Sequence, residues 1–191
     1  MILGIQGSAA DGSITRVALN AVKASAAELG AEFGLIDLAV EFRELHNLSE
    51  YEAPPAGSQA ARLRERVAAS SAVVLATPVY HGSYSGLIKN ALDHLVNDSF
   101  AGRPVGILAS AGNPRTGLVA CDHLRTVVRA LGGWATPTHV ATTSTDFVDG
   151  RPSPDIADRI DTMVSQLLQF PGQVAFSADQ FALPVGAGQA A

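Results

Sequence analysis

The chain has 191 residues, 47% of them hydrophobic and 16% charged, which suits one domain with a well-filled core and excludes a disordered tail protein. Its 13 Lys and Arg against 18 Asp and Glu give a formal charge of -5 with no basic cluster, which argues against a nucleic-acid partner. The single cysteine, Cys121, excludes an internal disulfide or a thiolate cage and fits a reducing, cytosolic compartment.

The first apolar run, residues 2–6, reads as a buried strand, and with no basic lead, cleavage pattern or long apolar stretch it predicts neither export nor a membrane span. Gly7-Ser8-Ala9-Ala10-Asp11-Gly12-Ser13-Ile14-Thr15 follows it and opens a helix over 14–29. Backbone N–H groups and the helix dipole collect an anion at such a place, and Ser8, Ser13 and Thr15 add hydroxyls. The Gly-x-Gly start of a dinucleotide fingerprint is absent. Gly7 and Gly12 have a Walker-like spacing, but Ser13 stands where the lysine belongs, so a nucleoside triphosphatase is not expected. A neutral, hydroxyl-rich cradle suits a single terminal phosphate, as in a flavin mononucleotide. The plainer alternative is a capped helix start, with Ser13 as N-cap and Gly12 in the turn.

A second strand at 33–38, a helix at 59–70 and a third strand at 72–77 come next. Thr77-Pro78-Val79-Tyr80-His81-Gly82-Ser83-Tyr84-Ser85-Gly86 then leads into a helical pattern over 85–96. Pro78 is expected to end the strand. Two tyrosines, a histidine and two glycines beyond it offer flat surfaces for stacking and bare backbone for close approach, or else simply cover the sheet edge with Ser85 capping the helix. The string fails as a nucleophile elbow because Tyr84 stands where serine is needed. Lys89 and Asp93 are expected to pair along the helix.

A fourth strand at 105–110 runs into Ser110-Ala111-Gly112-Asn113, followed by a helix over 115–131, a fifth strand over 134–141 and a helix over 154–170. Cys121 reads as part of an apolar helix face and His123 as a surface or interface contact. His46, His81, His94, His123 and His139 have no ligand spacing, so no metal site is expected. Residues 1–170 form the predicted domain, and the Ala/Gly-rich stretch 171–191 is expected to be mobile or packed on a partner subunit. Alternating strands and helices give an α/β fold: a flavodoxin-like three-layer sandwich on a five-stranded parallel sheet of order 2-1-3-4-5, binding its ligand beyond the carboxyl ends of the strands.

In the loop from Gly7 to Thr15, the string from Thr77 to Asp93 and the stretch Ser110–Asn113, the chain resembles the NAD(P)H-dependent FMN reductases of flavodoxin-like fold. The Gly-Leu-x-Lys-Asn-Ala-Leu-Asp run of residues 86–93 is the specific part. The resemblance implies FMN and NAD(P)H as cofactors, with hydride passing from nicotinamide to flavin N5 and no protein residue acting as acid or nucleophile. It places the flavin phosphate at Gly7, Ser8, Ser13, Ile14 and Thr15. It places the ring at Pro78, Val79, Tyr80, His81 and Gly82 and at Ser110, Ala111, Gly112 and Asn113, with backbone amides of Tyr80–Gly82 and Ala111–Asn113 toward N1 and O2. Pro-Val-Tyr followed by Ser-Tyr-Ser-Gly is similar to reductases that supply reduced FMN to two-component monooxygenases, such as the alkanesulfonate systems. Ala10 departs from the family, which often has arginine there, and Arg16 is the candidate substitute. Two alternatives stand beside this reading: a quinone, azo or chromate reductase with tightly held FMN, and a non-enzymatic flavin-binding electron carrier. A homodimer or tetramer is expected, because Leu87, Ile88, Ala91, Leu92, Leu95 and Val96 spread over a wide arc of the 85–96 helix, which lies at a subunit interface in the family.

Overall fold

Successive residues of a strand face opposite sides of a sheet, and in the central strands of this chain both sides are apolar. The computed structural model, which describes residues 1–170, shows the consequence: two cores, one on each face of a single sheet. Its elements are β1 (Ile2–Gln6), α1 (Ile14–Glu28), β2 (Phe33–Asp37), α2 (Leu38–Glu41), α3 (Gln59–Ala69), β3 (Ala72–Tyr80), β4 (Ser83–Tyr84), α4 (Gly86–Asp93), β5 (Pro104–Ser110), α5 (Pro114–Ala130), β6 (Trp134–Ala135), β7 (Val140–Thr142), β8 (Phe147–Val148), β9 (Arg151–Pro152) and α6 (Pro154–Gln169). Leu3 and Ile5, Val73 and Leu75, and Val105 and Ile107 point to the face covered by α3, α4 and α5. Ile2, Val74 and Leu108 point to the face covered by α1 and α6. The three layers follow from that alternation.

The sheet path β2-β1-β3-β5-β6 is the flavodoxin-like order, all pairs parallel. The expected fifth strand over 134–141 is two short pieces, β6 and β7, laid end to end along β5, with Pro137 in the gap between them. Side-chain acceptors at Ser13, Ser58, Ser85 and Asn113 start α1, α3, α4 and α5, each accepting from a backbone N–H three residues on.

Two expectations are corrected. Pro78 does not end β3, which continues to Tyr80 with Pro78 opposite Ser110. The C=O of Ala76 faces β1 and accepts from Gly7 N–H, so Pro78, two residues on, faces the same side beyond the end of β1, where its missing N–H breaks no ladder. The helix expected over 85–96 closes after Asp93, and Ile88, Ala91, Leu92 and Leu95 are buried by the chain itself. Leu87 packs partly buried against the same core, so most of the wide apolar arc is covered within one subunit. The stretch 171–191, expected to be mobile or to lie on a partner, is outside the described residues.

Candidate functional site

The carboxyl ends of β1, β3 and β5 bring the three sequence strings to one edge of the sheet, as a parallel order requires. After β1 the chain turns tightly. Ser8 N–H donates to Gln6 Oε1 at 2.6 Å, and Ala10 N–H to Ser8 Oγ at 3.3 Å. Gly7 has no room for a side chain: a Cβ there stands 2.8 Å from Ile88 Cβ and 3.2 Å from Ser85 Oγ. Ser13 caps α1 by accepting from Arg16 N–H at 3.3 Å, and Ile14 and Thr15 form its first turn. Two buried polar atoms here have no hydrogen-bond partner among the described residues, Thr15 Oγ1 and Gln6 Nε2. An orphaned hydroxyl in the first turn of a helix, beside a half-buried serine cap, fits a phosphate dianion.

The second string forms a structure that the residue types alone did not reveal. Val79 and Tyr80 pair antiparallel with Tyr84 and Ser83, making a two-residue hairpin. His81 and Gly82 at its tip both have positive φ, 51° and 81°, the pattern of a type I′ turn. Tyr80 stands 48% exposed on this hairpin, Val79 half-buried and Pro78 buried. Ser85 then fastens the two loops together: its Oγ donates to Gly7 C=O at 2.6 Å, and its N–H donates to Thr77 Oγ1 at 2.9 Å. His123 of α5, expected as a surface or interface contact, is exposed and supports the hairpin from the surface, with Nδ1 2.9 Å from Ser83 Oγ and its ring edge-on to Tyr84.

The family-like Lys-Asn-Ala-Leu-Asp run turns out to be scaffolding. Lys89 pairs with Asp93 at 2.6 Å, and Asn90 holds the 44–46 segment against α4, donating to Glu44 C=O and accepting from His46 N–H. At the third string, Ser110 Oγ shares a hydrogen bond with Thr142 Oγ1 at 3.0 Å, and Asn113 caps α5. One sequence expectation is corrected there: the Ala111 N–H donates to Thr142 C=O at 2.8 Å and is not free to face a ring. Gly112 and Asn113 are exposed at the same edge.

Arg16, the candidate phosphate ligand, is ion-paired to Asp37 at the end of β2. Thr77, Asp37, Gln6 and Asn90 are the contributors that sequence reading missed. Gln6 accepts from Ser8 two residues on, whereas Ser85, Arg16 and Glu44, the partners of Thr77, Asp37 and Asn90, lie 8 to 46 residues away and are brought near only by the fold. Elsewhere, burial pushes the Cys121 thiol up to about 12 and leaves it an inert core group. Burial lowers the pKa of His94 and His139, helped at His94 by His46 and at His139 by Arg125. Among the described residues no three His, Cys, Asp or Glu side chains gather to hold a metal ion, and no helix is long and apolar enough to cross a membrane.

The model of the family described as NADPH-dependent FMN reductase matches residues 1–147, the span that carries all three strings. The chain belongs to this family. Among curated relatives of this FMN reductase family member, the FMN-dependent NADPH-azoreductase of Staphylococcus aureus is 48% identical over 88 residues, 44% of this chain. That match spans 45% of the relative, so the chain aligns with less than half of the azoreductase's length. An oxidoreductase of Corynebacterium diphtheriae shares its fold at TM-score 0.72 and 27% identity, covering 87% of this chain and 93% of that one. The FMN-dependent NADH-azoreductase of Bacillus anthracis, solved in complex with FMN, has the same fold at TM-score 0.64 and 13% identity, over 87% of this chain and 98% of that one.

Proposed function

We propose that this chain is an NAD(P)H-dependent FMN reductase whose flavin phosphate sits at the β1–α1 turn. The observation that carries the reading is the Ser13 cap together with the buried Thr15 hydroxyl, which has no partner among the described residues, at the carboxyl edge of the sheet. When bound, FMN supplies the redox chemistry, taking a hydride from the nicotinamide and giving electrons to an acceptor. The chain supplies placement. Gly7, Ser8, Ser13, Ile14 and Thr15 would hold the phosphate. Pro78, Val79, Tyr80, His81 and Gly82 would hold the ring on a hairpin stiffened by Ser85 and His123, with Ser110, Gly112 and Asn113 on the other side. A rigid hairpin favours a single approach geometry for the nicotinamide, which is how positioning lowers the barrier without a protein acid or base.

For the acceptor, the sequence favours a flavin-dependent monooxygenase fed with reduced FMN. The 48% identity to an azoreductase favours a second reading, in which electrons pass to an azo compound or a quinone. Self-association belongs to the same proposal: Leu45 and Leu48 stand 82% and 78% exposed on and just beyond the segment that Asn90 holds to α4, and light scattering at micromolar concentration reads the resulting mass. The experiment for the function is steady-state oxidation of NADPH and NADH with free FMN and, separately, with catalytic FMN plus menadione or an azo dye. Saturable turnover with free FMN alone supports the supply of reduced flavin. Turnover only with the added acceptor supports the second reading, and no turnover in any arm overturns both.

A further inference from the structure

The segment from Gly7 to Arg16 contains one cation, Arg16, and one anion, Asp11. Arg16 is the only arginine or lysine there to answer a phosphate, and it is already committed to Asp37. That carboxylate is not free to follow the arginine. Asp37 is the last residue of β2, in register with Gln6 at the end of β1, and it caps α2 by accepting from Ala39 N–H at 3.2 Å. Its own N–H is taken by Glu41 Oε1 at 2.9 Å. Its side chain is 11% exposed, against 31% for the arginine. Turning Arg16 onto a phosphate would leave a mostly buried carboxylate without its counter-ion, a cost charged against phosphate binding.

We propose that Asp37 sets how tightly FMN is retained: by engaging Arg16 it keeps the cation of the cradle away from the phosphate, so that FMN exchanges with solvent as a substrate. This rests on the FMN reading above. It extends that reading by assigning flavin retention to a side chain outside all three flavin-edge strings. Asp37→Asn tests it, since asparagine caps a helix as well as aspartate does but carries no charge.

The measurement is a fluorescence titration of the full chain with FMN and with riboflavin. Asp37→Asn is expected to tighten FMN by about ten-fold or more, the effect of one charge-assisted hydrogen bond, and to leave riboflavin unchanged. Adding Arg16→Gln to that variant is expected to erase the gain. In the unaltered protein a cradle whose cation is engaged by Asp37 predicts a weak salt response, with FMN affinity changing less than about three-fold between low and high sodium chloride. Unchanged or weaker FMN binding by a folded Asp37→Asn chain overturns the proposal, as does a strong salt response in the unaltered protein. If the unaltered protein fails to prefer FMN over riboflavin, the phosphate reading itself falls. If it prefers FMN and Asp37→Asn adds nothing, only the role of Asp37 falls.

Discussion

His94 shows what a single side chain can cost the fold. Its ring packs edge-on between Phe42, at 5.0 Å, and His46, at 5.3 Å, and its Nε2 is buried without a partner among the described residues. Burial, with His46 beside it, holds its pKa below the usual 6.5, so the native state keeps it neutral where the unfolded chain would take a proton. The unfolded state therefore binds more protons below about pH 6.5, and stability falls as pH drops through and below that value. Thermal unfolding between pH 7.5 and 5.5 is expected to show a falling midpoint, with a shallower slope in His94→Leu. The slope persists in part because His139 is shifted the same way. An identical slope in the variant would remove His94 from the account. At this scale the sequence was legible where a residue acts on its neighbours: Ser13 and Ser85 read as caps and are caps. It was silent on the Arg16–Asp37 pair, because those residues lie 21 apart and meet only where the start of α1 comes near the end of β2 in the fold.

Among the elements, the hairpin of β3 and β4 departs furthest from the sequence reading. Pro78 looked like a strand end because proline breaks ladders, yet β3 outruns β1 and the proline sits where no ladder bond is due. His-Gly gave little warning of a type I′ turn, whose sequence signal is carried chiefly by Asn-Gly and Asp-Gly. The turn holds Tyr80 out of the core, and this separates its role from stability. Tyr80→Ala is expected to weaken FMN binding by about three- to ten-fold, the range of one aromatic contact, while far-UV circular dichroism stays that of the unaltered chain. Loss of secondary structure without a selective loss of flavin binding would make the tyrosine a packing residue instead.

Over the whole molecule, the order of the sheet was readable because short apolar runs alternate with helical periods, and a chain so patterned has few ways to cover both faces of a sheet. The edges were less readable. The fifth strand splits around Pro137, and most of the apolar arc for which the sequence predicted a second subunit is buried within one. The meeting of the three strings was legible for the same reason as the sheet order, since strings that follow three neighbouring parallel strands must share one edge. What those strings hold is the central claim, and binding tests it most directly. A fluorescence titration comparing FMN with riboflavin is expected to show FMN bound about ten-fold or more tightly, with Ser13→Ala narrowing the difference. Equal affinity for the two flavins, unaltered by Ser13→Ala, would contradict a phosphate cradle at the β1–α1 turn and return Ser13 to a plain helix cap.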